Sequence, residues 1–187
     1  EAGKLLSLEN GKTVSQCEAE FDGAANTFDF YAGMTDKIEH KLIPSGNDTF
    51  NYVVLEPFGV SLQIVPWNYP VSIFASMVAQ NLIVGNSIVI KPPELCPISS
   101  NFYGKIFQEV GLPNGSINIV HGYGEITGRK LVQHKDCDYI VFTGSPEVAS
   151  EILKETAERI IPCHFELGGK SAAIVYPDAN IDKAVDS

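Results

Sequence analysis

Basic residues are scarce in this 187-residue chain. Thirteen Lys and Arg stand against 23 Asp and Glu, for a net charge of −10 and a pI near 4.8. No basic stripe is available to neutralise phosphates, which argues against a nucleic-acid or anionic-membrane surface. Cysteine is sparse too. Cys17, Cys96, Cys137 and Cys163 show neither CxxC spacing nor a pairing pattern. That argues against a metal site and a disulfide framework and for a reducing compartment, with a cytoplasmic location the expectation. Long apolar runs are missing: the most apolar window, Val71 to Ile90, is interrupted by Gln80, Asn81, Gly85 and Asn86. It reads as a buried helix plus a strand, not a bilayer span. No leader peptide is expected, since Glu1 opens an ordinary polar helix. Repeats and low-complexity tracts are absent as well. The chain opens without Met and stops at Ser187 in an unfinished helical pattern, so the expectation is a piece of something longer.

What is present is enough apolar material, 44% of residues, to build a core for one domain or one and a fraction. Apolar residues at helical spacing mark two N-terminal helices, broken at Asn10-Gly11, the second running through Phe21, Ala24, Phe28 and Phe30. Residues 41–57 read as a β-hairpin excursion around a Pro-Ser-Gly-Asn-Asp turn. From residue 58 short apolar strands alternate with helices. Strands are expected at Val60–Val65, Ser87–Ile90, Ser116–Val120, Tyr139–Phe142, Pro162–Glu166 and Ala172–Val175. Helices are expected at Val71–Val84, Ile98–Val110, Glu125–Gln133 and Pro146–Glu158. This alternation predicts an α/β fold: a Rossmann-like, open, mostly parallel sheet with helices on both faces. The units expected are a helical segment over 1–40, the hairpin over 41–57, and a dinucleotide-binding domain over 58–187, incomplete at its C-terminal end.

Residues 58–94 organise the rest. A strand runs into a turn at Pro66, Trp67 and Asn68; a helix opens on Pro70; a second strand ends on Lys91, with Glu94 three residues on. In open parallel sheets ligands sit outside the carboxyl ends of the strands, which is where Asn68, Lys91 and Glu94 fall. A lysine there can donate to ribose hydroxyls or a phosphate, and a carboxylate can accept from both hydroxyls of an adenosine ribose while repelling a 2′-phosphate. A plain surface turn with a helix-start glutamate is the alternative. Gly122, Gly124 and Gly128 make GxGxxxG, one residue longer than the usual fingerprint, at a strand–helix junction; a tight turn explains it equally. Ser145 before Pro146 is a helix cap that also suits a pyrophosphate. Glu166 at a strand end beside two glycines can be a general base, or simply a solvated partner of Lys170. Asn68 can be an oxyanion donor or only a turn residue. The four histidines read as structural or surface. Cys163 and His164, adjacent on a strand, point to opposite faces and cannot pair.

The order and spacing of PWNYP, KPPE, GYGEITG, FTGS and ELGGK resemble the NAD(P)-dependent aldehyde dehydrogenase superfamily, most sharply over residues 57–170. The resemblance implies an oxidoreductase that turns an aldehyde into a carboxylic acid with NAD through a cysteine thioester. It implies Asn68 as the oxyanion donor and Glu166 as the base for the deacylating water. Ile64, Val65, Pro66 and Trp67 match the strand end on the nicotinamide side, and Lys91 and Glu94 the adenosine-ribose pair. Gly124 matches a glycine near the adenine, Gly144 and Ser145 the helix start at the pyrophosphate, and Val148 a side chain near the adenine. Leu167 and Gly168 match backbone beside the nicotinamide. The second proline of KPPE departs from the commoner Ala or Ser without changing the register. The family's cysteine lies a few tens of residues after this glutamate. Only 21 residues follow Glu166 and none is cysteine, so this chain alone is expected to bind cofactor without turnover. Glu94 implies NAD over NADP. The partners implied are a small aldehyde and, at full length, further copies of the same chain, with 41–57 an oligomer arm or a local flap. Phe74 and Met77 are either tunnel-lining or ordinary core. Two other readings are a non-catalytic nucleotide-binding module and a reductase of acyl phosphates or acyl-CoA. The second is disfavoured because Glu166 suits hydrolysis.

Overall fold

The computed structural model describes residues 1–186. Helix α1, Ala2–Asn10, stops where Gly11 takes a left-handed conformation (φ 83°) that costs a glycine nothing. Helix α2, Val14–Ala32, opens with a capping box between Thr13 and Gln16. An antiparallel pair follows, β1 (Lys41–Ile43) with β2 (Asn51–Val53), and every residue of it is exposed.

The remaining strands form one parallel sheet. They are β3 (Val60–Ile64), β4 (Ser87–Lys91), β5 (Ile117–Ile119), β6 (Tyr139–Gly144) and β7 (Cys163–Leu167), in the order β5-β4-β3-β6-β7. The helices are α3 (Pro70–Ile83), α4 (Asn101–Glu109), the short α5 (Arg129–Val132), α6 (Pro146–Thr156) and α7 (Ile181–Val185). Helices α2, α3 and α4 bury Ala24, Phe74, Val78 and Tyr103 against Ile88, Ile90 and Val141 on one face. Helices α5 and α6 bury Val132, Ala149 and Ile152 against Leu62, Ile140 and Phe142 on the other. Both faces are therefore covered, which is why Ile88, Val89 and Ile90 of β4 and Ile140, Val141 and Phe142 of β6 read as continuous apolar runs, while the central β3 also buries the polar Ser61 and Gln63. The chain builds outward from β3 to β5, then returns to the other side of β3 with β6 and β7. The crevice where direction reverses lies at the carboxyl ends of β3 and β6.

Two expectations are corrected. Residues 172–175 are not a strand, and Ile174, Val175 and Tyr176 are exposed. Their composition favours extended chain, but a strand needs a ladder. The segment leaves β7 through Gly168 and Gly169 and meets no pairing partner among the described residues. The helix expected over 125–133 opens instead as a single π-type turn, Gly124–Gly128, before α5. There the amides of Ile126, Thr127 and Gly128 all converge on the carbonyl of Tyr123. Such wide turns are uncommon and concentrate at functional sites. Among the described residues no helix is long and apolar enough to cross a membrane.

Candidate functional site

Lys91 ends β4, and its side chain is only 2% exposed. A buried ammonium must be hydrogen-bonded to persist. Its Nζ donates to the carbonyl of Pro92 at 3.0 Å and to Oε2 of Glu94 at 2.8 Å. Burial pushes the Glu94 carboxyl up. The bond from Lys91, its own backbone amide, the lysine charge and the amide of Gly124 outweigh that and hold it below the usual carboxylate range. An ammonium has three donors, so one remains for a ligand. The aliphatic stem of Lys91 lies under Gly128, where an added Cβ would sit 3.6 Å from Cδ.

Above this pair is a cavity of about 330 Å³, lined by Ile64, Glu94, Gly124, Gly128 and Val148 together with Arg129, Glu151 and Glu155. Its walls are the π turn with α5 on one side and α6 on the other. Arg129 and Gln133, one turn apart, grip both oxygens of Glu155 at 3.2 and 2.8 Å and so tie the walls together. The turn itself requires glycine at 122: φ is 148°, and a Cβ would run into Thr127.

The start of α6 follows the sequence expectation. Ser145 is the N-cap, its Oγ accepting from the amide of Val148 at 3.4 Å, with Pro146 at the first helical position. A Cβ at Gly144 would strike the Phe142 ring, so backbone alone can occupy that junction.

Asn68 lies beyond β3 in an exposed turn, and its side chain makes no hydrogen bond among the described residues. The turn around it is held firmly. The carbonyl of Trp67 accepts from Nδ2 of Asn10 at 2.6 Å and from the Cys96 thiol at 3.5 Å. Burial pushes that thiol up, which keeps the proton it donates. Glu166 pairs across to Thr143 in the ladder, with its side chain 68% exposed. Its partner is Nε2 of His164 at 3.1 Å, not Lys170.

The structure thus brings Ile64, Glu94, Gly124 and Val148 into one cavity with Lys91 beneath. Gly144 and Ser145 sit at the foot of α6. Pro66, Trp67 and Asn68 at the end of β3, and Glu166, Leu167 and Gly168 at the end of β7, lie along the same carboxyl edge but do not line the cavity. Val65 is buried in the core under α3. Sequence reasoning missed Arg129, Glu151 and Glu155, because the strand β6 separates the arginine from the two glutamates in sequence. It also missed the His164–Glu166 contact, although residues two apart on a strand share a face. Among the described residues no group of three or more His, Cys, Asp or Glu could hold a metal.

A model of the aldehyde dehydrogenase family matches residues 1–187, and the chain belongs to that family. It is 39% identical over 181 residues to an aldehyde dehydrogenase of Alternaria alternata, covering 96% of this chain and 36% of that protein. It is 43% identical over 188 residues to aldehyde dehydrogenase family 2 member B4, mitochondrial, of Arabidopsis thaliana, covering 100% and 35%. The fold superposes on the NAD+ complex of an aldehyde dehydrogenase from Bacillus cereus with a TM-score of 0.97 at 37% identity, covering 100% of this chain and 38% of that one. The chain spans little more than a third of the length of these relatives.

Proposed function

We propose that this chain is the cofactor-binding part of an enzyme that oxidises a small aldehyde to its carboxylic acid with NAD, through a cysteine thioester. The observation that carries the reading is the buried Lys91 holding the more exposed Glu94 at a cavity walled by Gly124 and Val148. The residues present fit an adenosine. Glycine at 124 leaves the cavity open, Lys91 keeps a free donor, and Glu94 presents a carboxylate fixed by that lysine. Glu94 accepts from the ribose hydroxyls and opposes a 2′-phosphate, which favours NAD over NADP. Gly144 and the capped start of α6 bring backbone close to the pyrophosphate. The dinucleotide, when bound, supplies hydride acceptance.

The chain's own residues act on either side of that step. Asn68 donates its side-chain amide to the oxygen that becomes negative when a thiolate from outside this chain attacks the aldehyde. Glu166, as carboxylate, takes a proton from the water that hydrolyses the thioester. We read residues 1–40, 41–57 and 58–187 as a helical segment, an excursion and the dinucleotide domain. The exposed Leu42, Phe50, Tyr52 and Val54 around the hairpin support a homo-oligomer at full length. The absence of a cysteine pairing pattern supports a cytoplasmic home, although the Arabidopsis relative is mitochondrial by name.

The test uses the full-length gene product with an aldehyde panel and either dinucleotide. Aldehyde-dependent NADH formation, weaker with NADP, is expected. A product with no cysteine downstream of Ser187, or no turnover with any aldehyde, sinks the reading; tighter NADP than NAD binding sinks the selectivity.

A further inference from the structure

Helix α3 has an unusual start. Its N-cap, Tyr69, offers no side-chain acceptor, so the orphan amides of the first turn need a partner from elsewhere. They find it 51 residues away: Oε1 of Glu20, on α2, accepts from the amides of Val71 and Ser72, each at 3.0 Å. Glu20 is 5% exposed. Its other oxygen takes Nζ of Lys12 at 2.6 Å, and the same ammonium stands 3.6 Å over the ring of Tyr69. Asn10 meanwhile holds the carbonyl of Trp67. Both peptide neighbours of Asn68 are therefore gripped from the end of α1 and the linker that follows it, while among the described residues the Asn68 side chain makes no hydrogen bond. A cap built into residue 69 would satisfy the helix equally well but leave the turn untied to α2.

We propose that Glu20, with Lys12 as its counter-ion, is a positioning residue for Asn68. It keys the start of α3, and hence the direction of the oxyanion donor, to the packed surface of α2. The inference rests on the reading of Asn68 given above.

The test is made on the full-length gene product. Glu20→Ala is expected to lower kcat/KM for the aldehyde by ~10²-fold, the scale of a misplaced catalytic group, while the Kd for NAD stays within about twofold. Glu20→Gln keeps an oxygen for the two amides and is expected to recover most of that loss. Lys12→Met should fall between them. If Glu20→Ala does not fold, these two near-isosteric variants carry the test. In an Asn68→Ala background the effect of Glu20→Ala should vanish, because the two act as one unit. Wild-type turnover by Glu20→Ala overturns the proposal. So does a loss of NAD affinity parallel to the loss of turnover, or full additivity with Asn68→Ala. If Asn68→Ala alone turns over normally, the oxyanion reading itself fails; if only the Glu20 arms fail, that reading stands.

Discussion

The end of the sheet we propose for adenosine and the edge we propose for the reaction are built in opposite ways. Lys91 is sealed under Gly128, bonded twice, and fixes Glu94 from below. Asn68 and Glu166 extend from the ends of β3 and β7 into open surroundings. Among the described residues one has no side-chain partner and the other has an exposed histidine. The first arrangement sets a carboxylate before any ligand arrives, and the ordering entropy is met by the fold itself. The second fixes the backbone beside each side chain and leaves the side chain exposed. A binding subsite can be completed by one sheet and its helices.

Substitutions can separate the two regions. The largest effect is expected from Asn68→Ala in the full-length product, a loss of roughly 10²–10³ in kcat; NAD titration should be unchanged, and a matching loss of affinity would erase the distinction. Lys91→Met comes next. Removing one charge-assisted bond should weaken NAD binding by roughly tenfold to a hundredfold, while kcat at saturating NAD is retained. Glu94→Ser is a smaller change and should narrow the gap between NAD and NADP by about tenfold, read from the ratio of their Kd values. The smallest effect concerns pH. Because the folded state holds Glu94 below its ordinary value, the stability it adds is present above about pH 4.3 and fades as pH falls through the lower folded value. The urea midpoints of wild type and Glu94→Gln should therefore converge below about pH 4.3, and parallel curves across that range would count against the pair.

Much of this was legible in advance, and the reasons are local. The strand before Pro66, the strand ending on Lys91, and the Ser145-Pro146 helix start each announce themselves within a few residues through periodicity and caps. What was illegible joins distant residues. Glu20 meets α3 across 51 positions, and Arg129 meets Glu155 across 26; no window contains both partners. Residues 172–175 show the converse error. Their β-branched and apolar character is real, but propensity describes a fit to a pleated neighbour, and among the described residues they have none. The His164–Glu166 contact sat in plain view as a strand parity, hidden by treating the histidines one at a time.

The position of β3 also dictates the order in which this chain can assemble. β3 is the central strand, yet one of its neighbours is β6, and the amide of Val60 reaches the carboxylate of Asp138, 78 residues downstream. During synthesis β3, β4 and β5 can come together first, and β3 then waits with one edge uncovered until residue 142 has emerged and the apolar face of Leu62 uncovered until α6 has followed. Such long-range parallel pairing is slow and leaves the intermediate open to wrong partners. Pauses that fall after residue 119 and before residue 156 has emerged are therefore where yield of this protein should be most sensitive.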